Sequence, residues 1–249
     1  MIELVFSAVG LGDELIVQWA ELNKPILEMI GACVVTDSDT IFPGLRIVRI
    51  AEQERYDIGS MNNLGIRSSE ADIIIKGDVD IYYSRESIRA VENIVRPGVA
   101  LCQKCANLTV DNELSLGDQL ECLTLYTERN WGHVPIRPAG RGACFAMHKD
   151  DWKRLCGYDE RFRGWGSDDD SIFRRAQQEI TVIQSARHPI IHINHRARIS
   201  ARFPNCGQQN MTLMDATEPW HETPESENWG LDLGDLGDIL AGECDIEKI

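Results

Sequence analysis

No run of the sequence approaches the roughly 18 consecutive apolar residues that a bilayer-crossing helix needs, and the first thirty residues lack a basic stretch followed by an apolar one. A membrane span and a secretory leader are therefore not expected, and the reading is of a soluble, cytoplasmic protein. Positive charge is scarce: 25 Lys and Arg stand against 40 Asp and Glu, a formal charge of −15. Such a surface repels a phosphate backbone, which argues against nucleic acid as a partner. There is no internal repeat and no low-complexity linker. The eight cysteines are scattered, mostly within apolar stretches such as IGACVV and GACFAM, as reduced core thiols are. Cys102-x-x-Cys105 has no second pair at zinc-ribbon spacing, which weighs against structural zinc.

What is present is enough chain for a real core: 249 residues, 28.1 kDa and 43% apolar, one fairly large domain or two small ones. The acidity is uneven. From Asp215 onward there are eleven acidic side chains and one lysine, a net of −10, which leaves −5 for the first 214 residues. That tail also holds Trp220, Trp229, Leu231, Leu233 and Leu236. So many large apolar groups suit a segment docked on the body or a partner, while its charge suits a mobile one.

Residues 2 to 9 and 30 to 36 are short apolar, β-branched runs separated by ELIVQWAEL, whose apolar spacing is helical. LRIVRI at 45 to 50 reads as a third strand and residues 58 to 70 as a helix leading into ADIIIKGDVDI. Ile73, Ile74 and Ile75 show no alternation, the pattern of a central strand covered on both faces. Residues 84 to 95 read as a helix with Ser84 as its N-cap, stopped by Pro97-Gly98, and VALCQK begins another strand. Alternating strands and helices predict an α/β fold with a mostly parallel central sheet flanked by helices, whose ligands bind beyond the carboxyl ends of the strands.

Three clusters could carry chemistry. Asp78-Val79-Asp80 stands where the central strand stops, and carboxylates two apart on an extended chain share one face; a surface turn gives the same triplet. In GWGSDDDSIF, Asp168, Asp169 and Asp170 open a helix, where carboxylates are favoured by the backbone dipoles. Trp165 between two glycines describes a loop that can swing an aromatic surface over a ligand, or a core tryptophan. In His192-Ile193-Asn194-His195 the two imidazoles point to opposite faces of a regular strand, so they reach one metal only if the strand ends or turns there. Otherwise they are solvated or core histidines.

Taken in order, these stretches resemble the inverting β-1,4-galactosyltransferases and related family-2-type glycosyltransferases. GRGACFAMHKDDWKRLCGYDERFRGWGSDDDSIFRRA is similar to the block that ends in tryptophan, glycine, a small residue and a run of acids. YDIGSMNNLGIRSSEADIIIKGDVDI is similar to the segment from the uridine-stacking aromatic to the D-x-D motif, and HINH to the place of two further metal contacts. The resemblance covers about residues 2 to 200. It implies a single glycosyltransferase A-type domain over residues 1–204, a Rossmann-like nucleotide half plus an acceptor half, followed by an acidic tail over 205–249.

The resemblance further implies a metal-dependent inverting transfer of a hexose or N-acetylhexosamine from a nucleotide-sugar, UDP-linked, to a hydroxyl of a glycan or other acceptor. Asp80, His192 and His195 would ligate Mn²⁺, with Mg²⁺ a weaker substitute. Asp78 would hold the donor's ribose or a metal-bound water, Tyr56 would stack on uracil, and Asp37 or Asp39 would meet the base or ribose. Asn63 and Gly142 fall at donor-binding positions. Trp165 would contact donor phosphate and acceptor, Asp169 would be the catalytic base, and Asp168 and Asp170 would serve the acceptor. Ile58 stands where relatives place an arginine, and Gly142-Ala143 replaces a glycine pair facing the donor sugar. Two other readings stay open: a transferase acting on a modified nucleic-acid base, for which Arg196, Arg198 and Arg202 form a local basic strip, and a non-catalytic nucleotide-sugar-binding protein.

Overall fold

Strand and helix alternate from the start of the chain: β1 (Ile2–Ser7), α1 (Asp13–Leu27), β2 (Gly31–Thr36), β3 (Arg46–Arg49), α2 (Ile58–Ser68), β4 (Ile73–Gly77), β5 (Ile81–Tyr82), α3 (Arg85–Ile94) and β6 (Val99–Asn107). There follow β7 (Cys144–His148), α4 (Lys149–Arg154), α5 (Asp168–Glu179), β8 (Thr181–His192) and α6 (Gly207–Ala216). The structure is a computed structural model, and it describes residues 1–51, 57–107, 143–164, 166–192 and 206–216.

The eight strands form one sheet in the order β3-β2-β1-β4-β7-β6-β8-β5. β3, β2, β1 and β4 run parallel; α1 crosses from β1 to β2 and α2 from β3 to β4, while residues 37–45 join β2 to β3 without a helix. β7 is antiparallel to both β4 and β6, β8 is parallel to β6, and β5 is antiparallel to β8. The IIIKG strand is central, between β1 and β7. Its apolar run continues across the sheet because both faces are covered.

Alternate residues of each strand feed opposite cores. Leu4, Phe6, Ala32, Val34, Ile75 and Ala146 join Ile16, Trp19 and Ile26 of α1 and Ile88 and Val91 of α3. Val5, Cys33, Val35, Ile74, Phe145 and Met147 join Met61 and Leu64 of α2, Trp152 of α4 and Ile172 and Phe173 of α5. Helix α2 lies so close to β1 and β2 that a Cβ on Gly65 would stand 2.9 Å from Val35 Cγ2. Ser84 caps α3, its hydroxyl oxygen accepting from Ser87 N. None of the six described cysteines is in a disulfide. Among the described residues no helix is long and apolar enough to cross a membrane.

Candidate active site

The ends of β4, β5 and β8 and the start of α5 build the site. β4 delivers the chain to Asp78, and Ile81 N closes a turn onto Asp78 O at 3.3 Å. The residues just beyond Asp80 are pinned from α1: fully buried Asn23 donates to Ile81 O at 2.9 Å, and its Oδ1 accepts from Tyr83 N at 2.9 Å. Tyr83 in turn donates its hydroxyl to Ala143 O at 3.0 Å. Gly77 makes room for that ring, since a Cβ there would stand 3.1 Å from Tyr83 Cζ and closer still to its oxygen. β5 pairs with β8 so that Ile81 lies opposite His192. This register brings His192 Nε2 to 3.2 Å from Asp80 Oδ2. β8 is described as far as His192, and His195 lies outside the described residues. Among the described residues, metal-type donors do not gather in threes, and Asp80 and His192 form a pair.

A lysine occupies the middle of the site. Lys76 is 1% exposed, on the face of β4 shared with Ile74, and its ammonium reaches Asp78 Oδ1 at 2.9 Å and Asp169 Oδ1 at 3.3 Å. Burial opposes its charge, but the carboxylates of Asp169 and Asp78 outweigh that and hold its pKa well above the ordinary lysine value. Asp169 Oδ1 also accepts from the Tyr158 hydroxyl at 3.0 Å, and burial keeps that phenol protonated.

The three acids start α5 after a left-handed Ser167, with φ of 67°. Asp168 is 5% exposed and its Oδ2 has no hydrogen-bond partner among the described residues. Burial first, and the neighbouring charge of Asp169 second, push its pKa up to about 7, with Lys76 pulling the other way. Asp170 follows on the same turn, half-buried.

The segment around Trp165 is held at both sides, although Trp165 itself lies outside the described residues. Asp57 accepts from Gly164 N at 2.6 Å and from Arg163 Nη1 at 2.9 Å. From α6, buried Asn210 accepts from Arg163 N at 3.1 Å and donates to Arg163 O at 2.9 Å and Gly166 O at 2.7 Å.

Of the other positions singled out, Asp37 stands at the carboxyl ends of β1 and β2, where its Oδ1 accepts from Gly10 N at 2.9 Å. The Asp39 carbonyl accepts from Arg49 Nη2 at 3.1 Å. Asn63 is fully buried: its Nδ2 donates to Tyr158 O and Glu160 Oε1, and its Oδ1 accepts from Tyr158 N at 2.7 Å. Its polar atoms thus hold Tyr158, the partner of Asp169. Tyr56 and Gly142 lie outside the described residues.

Residues 136–197 match the family model described as the N-terminal domain of galactosyltransferase. The catalytic domain of Drosophila β1,4-galactosyltransferase 7 in complex with xylobiose superposes with a TM-score of 0.55 at 14% identity, over 87% of this chain and 80% of that one. The chain has the glycosyltransferase A-type fold and carries a galactosyltransferase-like segment. A second structure of the Drosophila enzyme, a mutant in complex with manganese, UDP-Gal and xylobiose, matches this galactosyltransferase-like chain with a TM-score of 0.51 at 14% identity, over 85% and 79% of the two chains. The mannosyltransferase PcManGT of Pyrobaculum calidifontis, in complex with GDP-Man and Mn²⁺, matches with a TM-score of 0.52 at 15% identity, over 79% and 58%. No curated protein matches it in sequence.

The sequence reading missed Lys76, Tyr158, Asn23, Asp57 and Asn210. Lys76 left a signal: a lone charge inside the otherwise apolar IIIKG strand has to meet carboxylates. Asn210 opens an Asn-x-Thr triplet, but its side chain is buried and bonded and gives a glycan no place to attach. Tyr158, Asn23 and Asp57 carry no such local signal.

Proposed function

We propose that this chain is a metal-dependent, inverting glycosyltransferase that moves a hexose or N-acetylhexosamine from a UDP-linked sugar to a hydroxyl of a glycan. The observation that carries the reading is the meeting of Asp80 with His192 at 3.2 Å, beside an acid cluster at the start of α5. Carboxylate and imidazole together are a donor set suited to Mn²⁺ and less to Mg²⁺. Asp80 and His192, with His195, would hold the ion. The relatives with manganese and a nucleotide-sugar support the same choice.

The ion, when bound, acts as a Lewis acid toward the departing diphosphate. The remaining tasks belong to the chain's own groups. Asp78 orients the donor at its ribose or through water. Asp169 accepts the acceptor hydroxyl's proton as that oxygen attacks the anomeric carbon opposite the leaving group. Both described bonds to Asp169 fall on Oδ1, so Oδ2 carries neither and serves as the proton-accepting oxygen. Trp165, whose neighbours Gly164 and Gly166 are held by Asp57 and Asn210, would cover donor and acceptor and keep water out.

A thermal-shift panel of nucleotide-sugars with and without Mn²⁺ tests this reading. One nucleotide-sugar should raise the melting temperature only when Mn²⁺ is present, because a ligand of the native state stabilises it by mass action. The same pair should show slow metal-dependent hydrolysis. A panel in which no nucleotide-sugar stabilises the protein, with or without metal, removes the proposal.

A further inference from the structure

The reading above assigns no role to Lys76, the most deeply buried charge in the site. An ammonium in that position is retained only where carboxylates compensate its desolvation. The two carboxylates the structure supplies come from different parts of the machinery: Asp78 belongs to the turn after β4 that carries Asp80, and Asp169 to the start of α5. They are 91 residues apart in sequence, and one Nζ lies between them. Tyr158 completes the arrangement, its hydroxyl on the same Asp169 oxygen and its ring centroid 5.9 Å from Nζ. Tyr158 is itself fixed by Asn63.

We propose that Lys76 is a positioning residue that ties the donor-side carboxylate of Asp78 to the acceptor-side carboxylate of Asp169, setting where Asp169 stands and limiting how strongly the site draws a divalent cation. The proposal rests on the function proposed above for its catalytic half, while its electrostatic half depends only on the observed contacts. Three carboxylates, Asp78, Asp168 and Asp169, act on this one cation. Without it they repel one another and Asp169 loses one of its two tethers. The net negative charge beside Asp80 also rises by one. A metal ion held by Asp80 and His192 then binds more tightly, while Asp169 is placed less accurately for its proton.

Lys76→Met keeps an unbranched side chain only one heavy atom shorter and removes the charge. Two measurements on the full chain test the proposal. In the first, Lys76→Met, Asp169→Asn and the double variant are melted without ligand. Lys76→Met should lower the melting temperature and Asp169→Asn should restore part of the loss, because it removes a carboxylate left uncompensated. Strictly additive shifts overturn the bridge, and so does a double variant that fails to fold where Lys76→Met also fails. In the second, Mn²⁺ alone is titrated by thermal shift. Lys76→Met should bind it about tenfold more tightly, the order expected for one unit charge removed at close range in a partly screened site. Its kcat for nucleotide-sugar turnover should fall at least about tenfold with donor KM changed less than about threefold.

Unchanged Mn²⁺ affinity or unchanged kcat in Lys76→Met, with a wild type that responds to both ligands, overturns the inference and leaves the function standing. A wild type that responds to neither ligand removes the function, and the melting cycle still decides the bridge.

Discussion

His192 lies opposite Ile81 in the β5–β8 ladder, and this register brings its imidazole to Asp80. The contact is thus made between the two-residue β5 and the far longer β8, remote in sequence, and Asn23 secures β5 from α1. Asp80→Asn and His192→Ala should each abolish the Mn²⁺-dependent part of the thermal shift and lower turnover by about 10² or more. EDTA should do the same to the wild type, with recovery on Mn²⁺ and weaker recovery on Mg²⁺. Turnover that survives both substitutions and the chelator would falsify the metal assignment.

The first hundred residues were largely legible because their physics is local. Apolar periodicity separates α1, α2 and α3 from the strands, and the run Ile73 to Ile75 reports burial on both faces directly. The acids at 78, 80 and 168–170 were legible as clusters. What joins them was not. β7 enters the sheet antiparallel between β4 and β6, and no periodicity announces which strand is its neighbour. The partners of Lys76 and Asn63 are likewise long-range, 93 residues to Asp169 and 95 to Tyr158. For Asn63 the family resemblance pointed to the donor, whereas its hydrogen bonds run to the loop after α4.

The two neighbouring acids of α5 should behave differently. Asp169→Asn should keep nucleotide and Mn²⁺ binding and lose about 10² to 10⁴ in turnover, the usual contribution of a general base. Asp168 should instead report on stability against pH. Its folded pKa, near 7, lies above its ordinary value of 3.8. The folded state therefore binds more protons than the unfolded chain between those values, and its stability falls as pH rises from about 4 to 7. Asp168→Asn should flatten that slope and gain on the order of 1 to 3 kcal/mol at neutral pH. Denaturant melts at pH 5 and pH 8 measure it. Equal slopes in variant and wild type contradict the assignment.

Asn63→Ala removes three hydrogen bonds from a fully buried side chain and leaves Tyr158 N without its partner. The cost should be about 1 to 3 kcal/mol in a urea melt. Because Tyr158 donates to Asp169, kcat should fall while the nucleotide's affinity stays near that of the wild type. A variant that weakens nucleotide binding and spares kcat would point to a direct donor contact instead.

The last relationship concerns the segment that carries Trp165. Asn210 of α6 makes three bonds to Arg163 and Gly166, so one side chain holds the described chain on either side of position 165 from a helix that lies beyond residue 204. Gly164 and Gly166 adopt positive φ of 59° and 114°, which leaves the segment little intrinsic preference for one shape and makes the clasp decisive. Asn210→Ala should therefore raise acceptor KM by about threefold or more, with kcat changed less, since disorder at the tryptophan weakens acceptor binding before it affects the reacting groups. Quenching of tryptophan fluorescence by a neutral quencher should increase in the same variant. If acceptor KM and quenching both stay at wild-type values while stability drops, Asn210 serves the fold and not the loop.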